Sequence, residues 1–215
     1  MVTYKKYSKS KVKNFSMKNL FSSENALIDQ FVKSSTIFNT TFLVALFVIF
    51  QYLFSQVRFF LPDNPVPITM QTFGILFLGG IYGPRLTMLS ILSYMFIGII
   101  GVPVFQGNNG GIEYFFGVTG GYLIGFIFAS IIISVLSNNG LKKGLSIWAM
   151  IIGNMSIYIT ALIWLSIYDF GWPEKGNLFS QAVYPFLIGD FIKLILASLS
   201  VNILWKLSKN LKNRE

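Results

Sequence analysis

Asp190 and Lys193 are the only two charges in an otherwise hydrophobic run from Ala182 to Trp205. A carboxylate and an ammonium three residues apart on a helix share one face. Together they offer a hydrogen-bond acceptor and a cation, which suits a ligand carrying N–H donors and negative charge. An ionisable side chain in lipid costs roughly 2.5 to 3.5 kcal/mol on insertion scales, so such residues are rare and usually functional. The competing reading is an ion pair that merely neutralises itself. Buried pairs give little net stability over apolar replacements, so stability alone is a weak reason to keep one.

Three further stretches carry polar groups or backbone freedom that a ligand could use. The loop Gly107-Asn108-Asn109-Gly110-Gly111 combines glycines with amides. Around Gly110 and Gly111 the backbone N–H groups can converge and approach a ligand closely. The Asn109 amide can donate and accept at once. An ordinary turn explains the same residues. Gly117, Gly121, Gly125 and Ala129, each four apart, form a small-residue ridge that favours close helix packing. Gly121 would also let a ligand near the backbone at one end of that ridge. Gln71, at the start of a short apolar segment, reads either as a cap or as a ligand contact.

The elements that must position these groups are membrane helices. The 215 residues are 53% hydrophobic and only 12% charged, where a soluble domain carries about 25% charged residues. At about 20 apolar residues per crossing, some six spans fit and no separate soluble domain does. The expectation is an all-α integral membrane protein with six transmembrane helices and both termini cytoplasmic. The spans are predicted at Thr40–Leu61, Ile68–Tyr82, Leu86–Ile100, Phe116–Leu136, Leu145–Ile167 and Ala182–Trp205. The second is short for a crossing, so it must be tilted, interfacial or shielded by neighbours. Pro62, Pro65 and Pro67 make the segment before it extended.

Charge supports that plan. The net charge is +9, with seven lysines between Lys5 and Lys33 and Lys206, Lys209, Lys212 and Arg214 closing the chain. Six spans with both ends inside place these residues, Arg85, Lys142 and Lys143 in the cytoplasm. The outside keeps Arg58 and Lys175 with Asp63, Glu113, Asp169 and Glu174. Residues 1–38 read as a basic polar extension with an interfacial helix around Asn25–Lys33, residues 39–207 as the membrane domain and 208–215 as a basic tail. An organellar transit segment is the competing reading of the extension, weakened by its lack of Arg. Asp190 then lies about 22 Å along its helix from Trp205, in the outer half of the membrane.

Composition also excludes chemistry. There is no Cys and no His, so thiol nucleophiles, disulfides and His-dependent catalysis are absent. No phosphate-loop motif occurs, so any coupling to ATP needs a partner. The aromatics lie mostly within the apolar spans and are not interleaved with basic residues as in a nucleic-acid surface. No cofactor is expected, and no enzymatic activity.

Taken in order, PVPITMQTFG, GPRLTMLSILSYMFIGIIGVPVF, GNNGG, FFGVTGGYLIGF and PFLIGDFIK resemble the BioY family, the biotin-binding S components of energy-coupling factor (ECF) transporters. The resemblance runs from Pro65 to Leu199. It implies a six-helix protein of the plasma membrane that takes biotin from outside and works with a membrane coupling subunit and two ABC ATPases. It places the family's loop Asn on Asn109, its Asp and Lys on Asp190 and Lys193, and its TGGY tyrosine on Tyr122. Asp190 would then accept the ureido N–H groups, Asn109 would serve the ureido carbonyl, and Lys193 would neutralise the valerate. Two positions depart from the pattern. Leu123 stands where some members carry Arg, which leaves Lys193 as the obvious cation. Ala45 is followed four residues on by Ile49 rather than Ala, at a contact used for the coupling subunit. The alternatives are an S component for another vitamin, a solitary proton-linked carrier and a protein in which the charged pair is structural.

Overall fold

A computed structural model describes residues 26–32, 36–139 and 146–212. Much of the predicted basic extension, with Lys142 and Lys143, lies outside them. Of the helix expected over Asn25–Lys33, the described part holds one 3₁₀ turn, Ile28–Gln30. Its neighbours Ala26 and Leu27 are buried.

Six main helices follow. Helix α1, Ile37–Gln56, buries Leu43, Phe47, Gln51 and Ser55, a single stripe at four-residue spacing. Its other faces leave Ile37, Phe38, Phe42 and Leu53 exposed, as expected of a helix that meets lipid. Helix α2, Gln71–Ile81, has 11 residues, about 16 Å, shorter than a hydrocarbon core of about 30 Å. It is buried almost throughout and packs against α1 and four later helices. Shielding by neighbours thus accounts for the short second span. Helix α3, Pro84–Ile99, starts with Pro at its first position, where the missing N–H costs nothing. After a loop come a short α4, Ile112–Phe115, then α5, Gly120–Asn139, and α6, Ser146–Ile167. The chain ends with a short α7, Leu178–Ala182, and α8, Tyr184–Lys212. Helices α1, α5 and α6 and the stretch Leu178–Leu211 are long and apolar enough to cross a membrane.

The element boundaries differ from the hydropathy pattern where the chain finds tertiary partners. The first span ends at Gln56 rather than Leu61, because Arg58–Phe59 (β1) pairs antiparallel with Ile68–Thr69 (β2). The predicted extended segment with Pro62, Pro65 and Pro67 is the loop of this hairpin. Asn64 Nδ2 ties it to the Gln181 carbonyl at 3.2 Å. The fourth span begins at Gly120, four residues late, since 112–115 forms its own turn and Trp164 Nε1 holds the Gly117 carbonyl at 3.1 Å. The last apolar run breaks at Val183. Pro185 cannot continue a preceding helix but fits the first turn of a new one. Helix α8 runs on to Lys212, about 43 Å, so its basic end outreaches a hydrocarbon core of about 30 Å.

The glycine ridge joins α5 to α6. A Cβ on Gly121 would stand 2.5 Å from Trp164 Cβ and 2.8 Å from Ala161 Cα, and one on Gly125 would stand 2.7 Å from Ile157 Cα. The obstacle is partly backbone, which cannot rotate away. Gly121→Ala is therefore expected to destabilise the protein by about 1–3 kcal/mol, read as a lower unfolding temperature in detergent. Gly189→Ala is the control: its Cβ would meet only Ile68 Cγ2, at 3.6 Å, and should be tolerated.

Candidate functional site

Asp190 and Lys193 lie on the buried face of α8, 5% and 6% exposed. Lys193 Nζ donates to Asp190 Oδ1 at 3.0 Å. Tyr158, on α6, donates its hydroxyl to Asp190 Oδ2 at 2.5 Å. Each carboxylate oxygen thus has one donor and keeps acceptor capacity, since a carboxylate offers about four lone-pair sites. The ammonium keeps two donors beyond the one given to Asp190. A Tyr in the middle of an apolar span reads as packing, and sequence reasoning passed Tyr158 over for that reason.

This cluster borders a cavity open to one side, with about 530 Å³ of empty space when the open mouth is included. Most of the wall is apolar: Ile68, Leu123, Phe126, Ile157 and Phe186. The polar lining besides Asp190, Lys193 and Tyr158 is Thr69, Gln71, Gln106, Tyr114, Thr119 and Tyr122. The hairpin loop adds Val66 and Pro67.

Several lining groups are already committed to the scaffold. Gln71 accepts from Thr69 Oγ1 at 3.2 Å and donates to Tyr94 Oη at 2.8 Å. Tyr94 in turn donates to the Val104 carbonyl at 3.0 Å. Gln71 thereby connects the hairpin, α3 and the following loop. The Tyr122 hydroxyl donates to the Ala182 carbonyl at 2.7 Å and holds the α7–α8 junction, while its ring lies beside Phe186 at 6.0 Å between centroids. Burial raises the pKa of the Tyr114 phenol above its ordinary value, with hydrogen bonds to Thr119 and Gln106 lowering it. Tyr114 therefore stays a neutral donor at physiological pH.

The loop from Val104 to Gly111 meets the cavity through Gln106. Gly107 and Asn108 both adopt left-handed conformations, φ 70° and 58°, and turn the chain sharply. Gly107 also lies directly under the Arg58 guanidinium, which a side chain there would push aside. Arg58 Nη1 donates to Gln106 Oε1 at 2.5 Å, and Ser55 and Gln56 of α1 bond the carbonyls of Val104 and Phe105 at 3.1 Å. Asn109 is half-buried behind this wall, and its Nδ2 donates to the Gln106 carbonyl at 2.8 Å. Gly110 lies against the Val102 carbonyl, and the Gly111 N–H donates to the Gly98 carbonyl at 2.7 Å.

Of the residues selected from sequence, the structure brings Asp190, Lys193, Tyr122 and Gln71 to one cavity. Asn109, Gly110 and Gly111 are not among its lining residues, Asn109 bonding the Gln106 backbone instead, and Gly121 faces α6. Besides Tyr158, sequence reasoning missed Thr69, Gln106, Tyr114 and Thr119. Thr69 and Thr119 fall inside motifs it had quoted, but nothing in a lone Thr marks which way it points.

Comparison with known proteins gives a consistent answer. The BioY family model matches residues 24–210. A probable biotin transporter BioY of Pyrococcus horikoshii is 36% identical over 152 residues, covering 70% of this chain and 86% of that protein. A biotin transporter BioY of Lactococcus lactis subsp. cremoris is 34% identical over 152 residues, covering 66% and 77%. Among solved structures, the S component for biotin from an ECF-type ABC transporter matches with TM-score 0.67 and 28% identity. It covers 78% of this chain and 90% of that one.

Proposed function

We propose, for a chain that belongs to the BioY family, uptake of biotin through the α8 cavity as the substrate-binding S component of an ECF-type transporter. It is a multi-pass protein of the plasma membrane and a transport subunit rather than an enzyme. The observation that carries the reading is the Asp190–Lys193–Tyr158 cluster on the wall of a mostly apolar cavity. Biotin has a matching layout: a ureido edge with N–H donors beside a carbonyl acceptor, on an apolar bicyclic body.

The 3.0 Å between Lys193 Nζ and Asp190 Oδ1 bears on the pose. The ureido ring and the carboxylate of biotin are separated by the thiophane ring and a four-methylene tail. A pair this close cannot meet both ends of an extended ligand. We therefore assign both side chains to the ureido edge, Asp190 accepting from N–H and Lys193 donating to the carbonyl. The valerate then runs along the apolar wall toward Gln106, where Arg58 supplies a cation. Asn109 supports that wall through its bond to the Gln106 backbone.

The lysine-rich termini and Arg85 place both chain ends in the cytoplasm, with the hairpin and the 101–111 loop outside. Biotin enters from that outer side. The energy source lies in partners: a membrane coupling subunit and two ABC ATPases. Growth tests the reading. Bacteria unable to make or import biotin should grow on trace biotin when given this chain together with coupling and ATPase subunits, and excess thiamine or riboflavin should not compete. Rescue blocked by thiamine or riboflavin would point to a different vitamin. Uptake of labelled biotin in cells lacking the ATPases, collapsing with a protonophore, would point to a solitary carrier.

A further inference from the structure

Asn154 is 7% exposed, and its Oδ1 has no hydrogen-bond partner among the described residues. A buried acceptor left unpaired costs free energy, so each such group calls for a specific explanation. Its position supplies one. Helices α6 and α8 run antiparallel, fixed by two side-chain bonds: Tyr158 to Asp190 at 2.5 Å on the outer side and Ser146 to Ser198 at 3.1 Å on the inner side. Asn154 lies one turn inward of Tyr158 on the same face of α6. Lys193 lies about one turn inward of Asp190 on the same face of α8. Between the two fixed contacts, the level of Asn154 on α6 therefore corresponds to that of Lys193 on α8.

We infer that Asn154 is a positioning residue for the Lys193 ammonium, resting on the ureido reading above. Lys193 has three donors and one partner, Asp190. Asn154 Oδ1 takes a second donor from the inner side through one water, and the third points outward to the ligand carbonyl. An ammonium held at two points presents its remaining N–H in a fixed direction. Held by Asp190 alone, it could rotate about that one bond and leave its other two donors without a fixed direction. The orphaned acceptor and the spare donors of the cation are thus two halves of one arrangement.

Two substitutions that keep a side chain branched at Cγ separate this role from simple space filling. Asn154→Leu removes the acceptor, and Asn154→Asp keeps an oxygen at the same place. Equilibrium binding of labelled biotin to the purified full chain should weaken about tenfold with Asn154→Leu and stay within about threefold with Asn154→Asp. A space-filling role predicts the reverse order, because a buried carboxyl is harder to accommodate than leucine. Native affinity in Asn154→Leu, or equal loss in both variants, would overturn the inference. If Asn154→Leu does not fold, Asn154→Ala takes its place under the same criteria. Asp190→Asn, measured beside them, separates the two levels of the argument. Loss with Asp190→Asn but not with Asn154→Leu removes only the role of Asn154. No saturable binding by the native chain removes the site reading and this inference with it.

Discussion

Asp190→Asn is expected to weaken biotin binding by about 100-fold or more, on the order of 3 kcal/mol. The substitution preserves shape, so the cavity keeps its walls. It removes the negative charge that holds Lys193 and replaces one acceptor oxygen by an NH₂ group, which points a donor at ligand N–H groups or at the Tyr158 hydroxyl. Breaking one partner of a buried pair leaves the other charge uncompensated, so the unfolding temperature in detergent should fall too. Binding and stability are separable by Asp190→Asn combined with Lys193→Met. With both charges gone, stability should recover toward the native value, while binding stays lost. A double variant that binds biotin normally would make the pair structural.

Lys193→Met is expected to cost a similar amount, and its pattern across ligands distinguishes the two poses. If the ammonium serves the ureido carbonyl, biotin and its uncharged amide lose affinity by about the same factor, roughly 100-fold. If it serves the valerate, the amide is spared. Arg58→Ala should behave oppositely, weakening biotin more than the amide, because its guanidinium bonds Gln106, a residue of the cavity wall. Competition against labelled biotin, with each ligand titrated into each variant, reads all of this in one format.

The helices and the charged pair were legible in the sequence for one physical reason. Lipid admits long apolar helices and penalises charge, so both stand out against composition. What was not legible depended on partners distant in the chain. Ile68 and Thr69 continue an apolar run, and only their pairing with Arg58 and Phe59 makes them strand. Tyr158 is unremarkable in its own span and gains a role only because α8 sets Asp190 opposite it. In the Gly107–Gly111 loop, the glycines marked a turn, but the left-handed pair Gly107–Asn108 decided that Gln106, rather than Asn109, reaches the cavity. Likewise Gly121 carries no sign of whether its bare face meets ligand or helix. The close approach of Trp164 and Ala161 supplies the answer.

The central claim is that the α8 cavity holds biotin through Asp190 and Lys193. Its most direct test is a filter-binding titration of labelled biotin on the purified chain, run beside Asp190→Asn at matched protein concentration. The account predicts one saturable site on the native chain and a loss of about 100-fold in the variant. No saturable binding by the native chain, or equal affinity in both, would contradict it.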